Sequence, residues 1–416
     1  DRSTCTRLHP VHVCWWLAQS KMKITDVKVF RTATPVHKTA GTNWLFIRID
    51  TDAGISGWGE GSLQYKDAAL EAEILDFGKF LEGKDPFRID WIWTSLYRRV
   101  TWSGGAVTMS AIAAIDLALW DIKAKAHEMP VWELAGGKHR NVVKVYANGW
   151  FEGLTEPVPG VPAETVARQA SPELHAKAAL ELKNDGWKAL KFYPFGGPQV
   201  TTPEQIDHGL ELVRAVREAV GNDMDIGIDI RARLDVWSAG RVAKRLEPFD
   251  IAWLEEPILY DNVEAMAEFA RSVNIPIATG EQLYNRWEFR PLLATNSIGL
   301  IQPDICHCGG FSEIRKIAHM AETHYIAVAP HNSNGPISTL ASLHLDMSIP
   351  NAFLQEIFVS FIDRYRQVLT NPINIEDGLA TVPDGPGWGA DIDTEALAKY
   401  PAAEFTQIES EPYLDF

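Results

Sequence analysis

Asp229, Glu255, Glu281, Asp304, His331 and Glu356 each close a short apolar run of the sequence: MDIGIDI, IAWLEEP, IPIATGE, GLIQPDI, YIAVAPH and NAFLQEI. One such residue would be read as a cap or a turn residue. Six in succession read as a site. Asp229, Glu255 and Glu281 recur every 26 residues, which sets carboxylates from successive runs at one height, although spacing alone does not choose between Glu255 and Glu256. Three carboxylates in a poorly hydrated mouth repel one another unless a cation neutralises them. Hard oxygen donors suit Mg2+, which keeps coordination positions for water and substrate. No Cys or His lies among the three, which argues against zinc. The run before them, KALKFYPF, supplies Lys191 and Tyr193, and Arg231 follows Asp229 by two residues.

These residues need elements that deliver them to one place. Eight apolar runs, from VVKVYAN at 142 to NAFLQEI, alternate with amphipathic stretches such as PEQIDHGLELVRAVREAVG and GFSEIRKIAHMAETH. Strands separated by crossovers are parallel βαβ units, and eight of them make a (β/α)8 barrel, whose chemistry sits at the C-terminal strand ends. An open doubly wound sheet would carry a Gly-rich phosphate loop, and neither GxGxxG nor GxxxxGK[ST] is present. Ahead of the barrel, KITDVKVFRT and WLFIRIDTDAGISGWGEG read as strands with a hairpin at DAG. VTMSAIAAIDLALWDIKAKAHEM reads as a helix. The expected organisation is an α+β capping domain over 22–140, a barrel over 141–372 and a C-terminal segment, 373–416, returning to the cap. Residues 1–21 carry no periodic element and are expected to be a dispensable arm, with Met22 as the functional start.

The chain of 416 residues has a formal net charge of −16, which argues against nucleic acid and anionic membrane surfaces as partners. Its four cysteines, Cys5, Cys14, Cys306 and Cys308, make no disulfide framework, so a reducing cytoplasm is the expected location. CHCGG lacks a second ligand pair and reads as a turn with free thiols. No apolar run reaches the ~18 residues of a membrane span.

The strings GIDI with Asp229, WLEEP with Glu255, TGEQ with Glu281, QPD with Asp304, APH with His331 and LQE with Glu356 together resemble the enolase superfamily, mandelate racemase subgroup. The resemblance covers nearly everything from Met22. It implies Asp229, Glu255 and Glu281 as Mg2+ ligands, selecting Glu255 over Glu256, and it implies a homo-oligomer. It also implies one chemistry, abstraction of the proton α to a carboxylate to give an enediolate held by the metal. Such a proton is very weakly acidic, so its removal needs a cation on the developing charge and a base within hydrogen-bond reach. Asp304 and His331 suit the base, because an aspartate on the far ring nitrogen fixes the tautomer and raises basicity. Glu356 would donate to a substrate carboxylate oxygen if held protonated, or else form a salt bridge. Lys191 is expected to face the same substrate carboxylate.

Racemases of this subgroup place a second base in a KxK pattern, where this chain has Lys191-Phe192-Tyr193. Side chains two apart on a strand point the same way, so Tyr193 takes the slot. With a usual pKa of about 10 it is a poor base, which disfavours two-base racemisation. Acid-sugar dehydratases of the galactonate type often place His two residues after the first metal ligand. Arg231 stands there instead, and arginine orients a substrate but does not donate a proton near neutrality. VYANGW and ALKFYPFG resemble gluconate-type dehydratases. The expected activity is a hydro-lyase acting on a sugar acid such as gluconate or galactonate. In it His331 removes the C2 proton and returns it to the C3 hydroxyl, or Tyr193 acts as the acid. An epimerase or cycloisomerase using the same enediolate is the alternative, and a non-catalytic sugar-acid-binding regulator is the second. The cap stretches 35–44 and 62–67 are expected to select the substrate.

Overall fold

The computed structural model describes residues 22–35, 43–98, 101–157, 168–195 and 201–404. The arm at 1–21, Cys5 and Cys14 therefore lie outside the described residues, as does most of the 35–44 stretch.

The capping domain is an antiparallel three-stranded sheet covered by helices. Strands β1 (Ile24–Ala33), β2 (Asn43–Thr51) and β3 (Ser56–Glu60) pair in chain order. Helices α1 (Asp67–Leu81), α2 (Ile89–Arg98) and α3 (Ala106–Ala126) follow. Helix α3 is buried almost all round, because it lies between the sheet and the barrel, and its Ala-rich sequence lets β3 approach closely.

The barrel strands are β4 (Val143–Asn148), β7 (Ala189–Phe192), β8 (Asp225–Asp229), β9 (Trp253–Glu255), β10 (Ile277–Thr279), β11 (Leu300–Ile301), β12 (Ala327–Val328) and β13 (Gln355–Phe358). A small antiparallel hairpin, β5 (Thr155–Pro157) with β6 (Arg168–Ala170), interrupts the first crossover. Neighbouring barrel strands pair in parallel, β13 closes on β4, and a bridge between Val328 and Ala352 joins the seventh strand to the approach of the eighth. The crossover helices are α4 (Pro172–Asn184), α5 (Pro203–Val220), α6 (Val236–Leu246), α7 (Val263–Ser272), α8 (Arg286–Ala294), α9 (Phe311–Glu322) and α10 (Pro336–Ser348), with α11 (Ile362–Val368) after β13. Their starts are written locally: Thr202 and Gln205 form a capping box on α5, and Asp235 and Asn262 cap α6 and α7. The architecture is a (β/α)8 barrel under an N-terminal α+β cap.

Period-two alternation decides what each strand presents. Ile226, Ile228, Leu254, Ile277, Ile301 and Ile357 face outward into the helix layer. Tyr146, Ala189, Trp253, Ala278, Leu300, Ala329 and Leu354 face inward and plug the barrel axis. The plug depends on Gly227, because a Cβ there would stand 2.2 Å from the Trp253 ring.

The chain after β13 forms a second hairpin, β14 (Asn374–Glu376) and β15 (Leu379–Thr381), and β15 pairs antiparallel with β4. It then crosses to the cap. The Lys125 ammonium bonds Asp121 and Asp391, each at 2.6 Å, and Trp388 N–H donates to Asp121. Cys306 and Cys308 are buried free thiols in the turn before α9, and among the described residues they belong to no set of three ligating side chains that could hold a metal.

Candidate active site

Two residues beyond the apolar plug, the same inward parity carries a polar layer: Asn148, Lys191, Asp229, Glu255, Gln302 and Glu356, all buried. Strand five departs from the pattern. At Gly280 the backbone turns to φ +126°, where a side chain would meet the Phe289 ring, and Glu281 then enters the mouth. Glu281 and His331 stand at its solvent edge, about one-fifth and one-sixth exposed.

Lys191 is the cation at the centre. Its ammonium bonds Glu255 Oε1, lies 2.8 Å from Glu356 Oε1 and 3.8 Å from Asp229 Oδ2. The sequence placed it against a substrate carboxylate; in the structure it neutralises the protein's own acids. Glu255 Oε2 also accepts from Trp253 Nε1 at 2.9 Å and Gln302 Nε2 at 2.7 Å. Asp229 Oδ1 accepts from the Arg231 backbone N–H at 2.6 Å, in a turn where Arg231 and Ala232 both have φ near +56°. Glu356 accepts from Asn148 Nδ2 at 2.6 Å and from the Asn332 N–H at 2.7 Å. Burial opposes its charge, but Lys191 and His331 outweigh burial and hold its carboxyl below the ordinary range. Glu356 thus stands in an ion pair with Lys191.

His331 and Asp304 meet as a pair. His331 Nδ1 lies 2.7 Å from Asp304 Oδ2, so Nδ1 carries the proton and Nε2 points to the mouth, 3.5 Å from Glu281 Oε2. Asp304 is held by Asn334 Nδ2 at 3.1 and 2.9 Å and by the Cys306 N–H at 2.7 Å. Burial would raise the Asp304 carboxyl, yet His307 and His331 keep it low. Burial would lower His331, and the surrounding carboxylates, Glu281 first, push it up to about 10.

Tyr193 packs edge-on against Phe151, ring centroids 4.6 Å apart, and the Arg231 guanidinium lies 5.3 Å from its ring centre. Burial pushes the Tyr193 phenol far above its ordinary value, so it is neutral at any working pH. Glu256 points away from the mouth, accepting from Thr279 Oγ1 and the Gly280 N–H at 2.8 and 2.7 Å. Asn148, Gln302, Asn332 and Asn334 carry no titratable group, so the pattern of acids and bases in the sequence does not point to them. Asn148 and Gln302 were reachable by counting two residues past the plug.

As the side chains stand, no three His, Cys, Asp or Glu groups close to metal-ligating geometry among the described residues. Their chemistry nonetheless fits a hard divalent cation. Asp229, Glu255 and Glu281 are all oxygen donors on adjacent strands. Burial raises each of them, Asp229 to about 6, and their mutual repulsion adds to it. Lys191, with His331 at Glu281 and Arg231 at Asp229, opposes these shifts without cancelling them.

A capped barrel with acids, a lysine and a His–Asp pair at its C-terminal mouth is the frame of an enzyme. Residues 21–136 match the mandelate racemase / muconate lactonizing enzyme N-terminal domain, and residues 173–396 match the enolase C-terminal domain-like family. The chain belongs to the enolase superfamily, as a mandelate racemase-like enzyme. A D-galactonate dehydratase of Xanthomonas euvesicatoria pv. vesicatoria (strain 85-10) is 36% identical over 385 residues, covering 91% of this chain and 94% of that protein. A D-galactonate dehydratase of Pectobacterium atrosepticum is 36% identical over 384 residues, covering 90% and 94%. Among solved structures, a member of the enolase superfamily from Salmonella Typhimurium superposes with a TM-score of 0.82 at 32% identity, covering 91% of this chain and 98% of that one. A mandelate racemase/muconate lactonizing enzyme from Sulfitobacter sp. gives 0.82 at 32%, covering 92% and 96%. No helix among the described residues is long and apolar enough to cross a membrane.

Proposed function

We propose that this protein is a Mg2+-dependent dehydratase of a sugar acid, an aldonate such as gluconate or galactonate. It acts within a cap of 22–140 and a barrel of 141–372 in a cytoplasmic homo-oligomer. The observation that carries the reading is the His331–Asp304 pair, whose Nε2 faces the mouth beside Glu281, in a chain 36% identical to D-galactonate dehydratases. Asp229, Glu255 and Glu281 would hold the Mg2+. Bound there, it would supply positive charge against the anion that develops on the substrate carboxylate.

His331 takes the C2 proton on Nε2, while Asp304 keeps the ring in one tautomer and stabilises the imidazolium that results. The 3-hydroxyl then leaves as water, accepting its proton from His331 or from Tyr193, and the product is a 2-keto-3-deoxy acid. Arg231, steadied over the Tyr193 ring, orients substrate oxygens.

The test is a screen of sugar acids with Mg2+ in D2O, following both C2 exchange and keto product. His331→Asn should abolish both. Tyr193→Phe should retain exchange; if elimination alone collapses, Tyr193 is the acid. Interconversion of C2 epimers with no keto product would overturn the dehydratase reading in favour of epimerisation.

A further inference from the structure

One carboxylate of the capping domain is built into the network behind the base. Glu60 ends β3 and is fully buried. Its Oε1 accepts from Ser62 Oγ and from the Gly335 N–H, both at 2.5 Å, and its Oε2 accepts from the Ser338 N–H at 2.9 Å. Gly335 precedes α10 and Ser338 lies in its first turn, so the cap satisfies two of the orphan donors at the start of a barrel helix. The helix has no side-chain cap of its own, and a Cβ at Gly335 would stand 2.7 Å from Glu60 Oε1. The site is shaped for a carboxylate arriving from the other domain.

The chain just before Gly335 is the loop that begins with His331. Asn332 is tied to Glu356 through its N–H, and Asn334 donates to both oxygens of Asp304. The Asn334 carbonyl accepts from Tyr365 Oη at 2.5 Å. The Asn334 tether therefore ends on Asp304 of the base pair itself, and the last tether of the loop, one residue further on, is Glu60. A second cap contact converges there: Ser110 Oγ bonds His307 Nδ1 at 2.8 Å, and His307 Nε2 lies 3.7 Å from Asp304 Oδ2.

We infer that Glu60 is a positioning residue for the base, clamping the 331–335 loop to the cap so that Asn334 seats Asp304 and Asp304 aims His331 Nε2 at the substrate. The capping domain thereby contributes to the proton transfer as well as to the cover of the site. This rests on His331 being the base.

The test uses the full Mg2+-loaded chain labelled with nitrogen-15 at histidine, the His331 signals assigned with His331→Asn. Wild type should show His331 with its Nδ1 proton held by Asp304. Glu60→Gln puts an amide N–H2 where a backbone N–H must be accepted. It should shift the His331 ring signals and lower kcat by about 10- to 100-fold with little change in KM. Asp121→Asn, an equally buried cap carboxylate that ties down Trp58 and Trp388 instead, should lower thermal stability and leave the His331 signals and kcat in place. Should Glu60→Gln not fold, Ser62→Ala, which removes one donor to Glu60, should move the same signals in the same direction by less. A folded Glu60→Gln with unaltered ring signals and kcat overturns the inference, and so does an Asp121→Asn that moves them equally. If wild type turns over no acid sugar, the proposed function fails, while the ring signals still decide whether Glu60 positions His331.

Discussion

Lys191 shows how one side chain keeps a crowd of acids folded. Its ammonium touches Glu255, Glu356 and Asp229 inside a layer from which water is excluded. Removing one partner of a buried ionic cluster costs far more than the cluster contributes, because the remaining charge has nothing to face. Lys191→Met should therefore destabilise the metal-free protein by about 3–5 kcal/mol, measured by chemical denaturation. A divalent cation on the same acids would replace the lost charge, so saturating Mg2+ should recover most of that loss. Equal loss with and without Mg2+ would mean that the cation does not bind among these carboxylates.

The strands of the barrel act as rulers. Each places a plug residue inward and, two positions later, a polar side chain in the mouth, as in Trp253 and Glu255. The two layers are coupled within β9, since Trp253 Nε1 bonds Glu255 Oε2. Gly227 on β8 leaves room for that indole. Gly227→Ala should displace the ring, costing about 1–3 kcal/mol by overpacking, and should weaken Mg2+ binding because Glu255 moves with it. Titration calorimetry with Mg2+ checks the second effect. A destabilised variant with unchanged affinity would show that the plug supports the fold without placing Glu255.

Across the whole molecule, buried carboxyls are raised by burial in several places: Glu60 and Asp116 to about 7, Glu256 to about 8 and Asp229 to about 6. His331 is also raised, by its acidic neighbours against burial. In each case the folded state holds its proton more tightly than the unfolded chain, so stability falls as pH rises from the unfolded to the folded value. The metal-free protein should lose thermal stability between about pH 5 and about pH 8. Mg2+ held at Asp229 as proposed would compete with protons there, so its stabilising effect should be larger at the upper end of that window. Melting curves with EDTA and with Mg2+ measure this. A metal-free melting temperature that climbs through the window would contradict the arrangement of buried acids.

The amino-acid sequence by itself determined the architecture, because eight apolar runs with intervening amphipathic helices have few other ways to bury their faces. It also named the chemistry-bearing ends of those runs, from Lys191 to Glu356, since strand period and barrel polarity send them to one mouth. Tertiary structure decided the partnerships. That Lys191 neutralises Glu255 and Glu356, and that Asn148 and Asn332 hold Glu356 as an anion, depends on contacts between residues far apart in the chain. The β14–β15 hairpin extending β4 lay hidden for the same reason: two three-residue strands carry too little periodicity to be read locally. Glu60 is the extreme case. It looks like an ordinary strand-end acid, and only the docking of cap on barrel brings it to backbone donors 275 and 278 residues away.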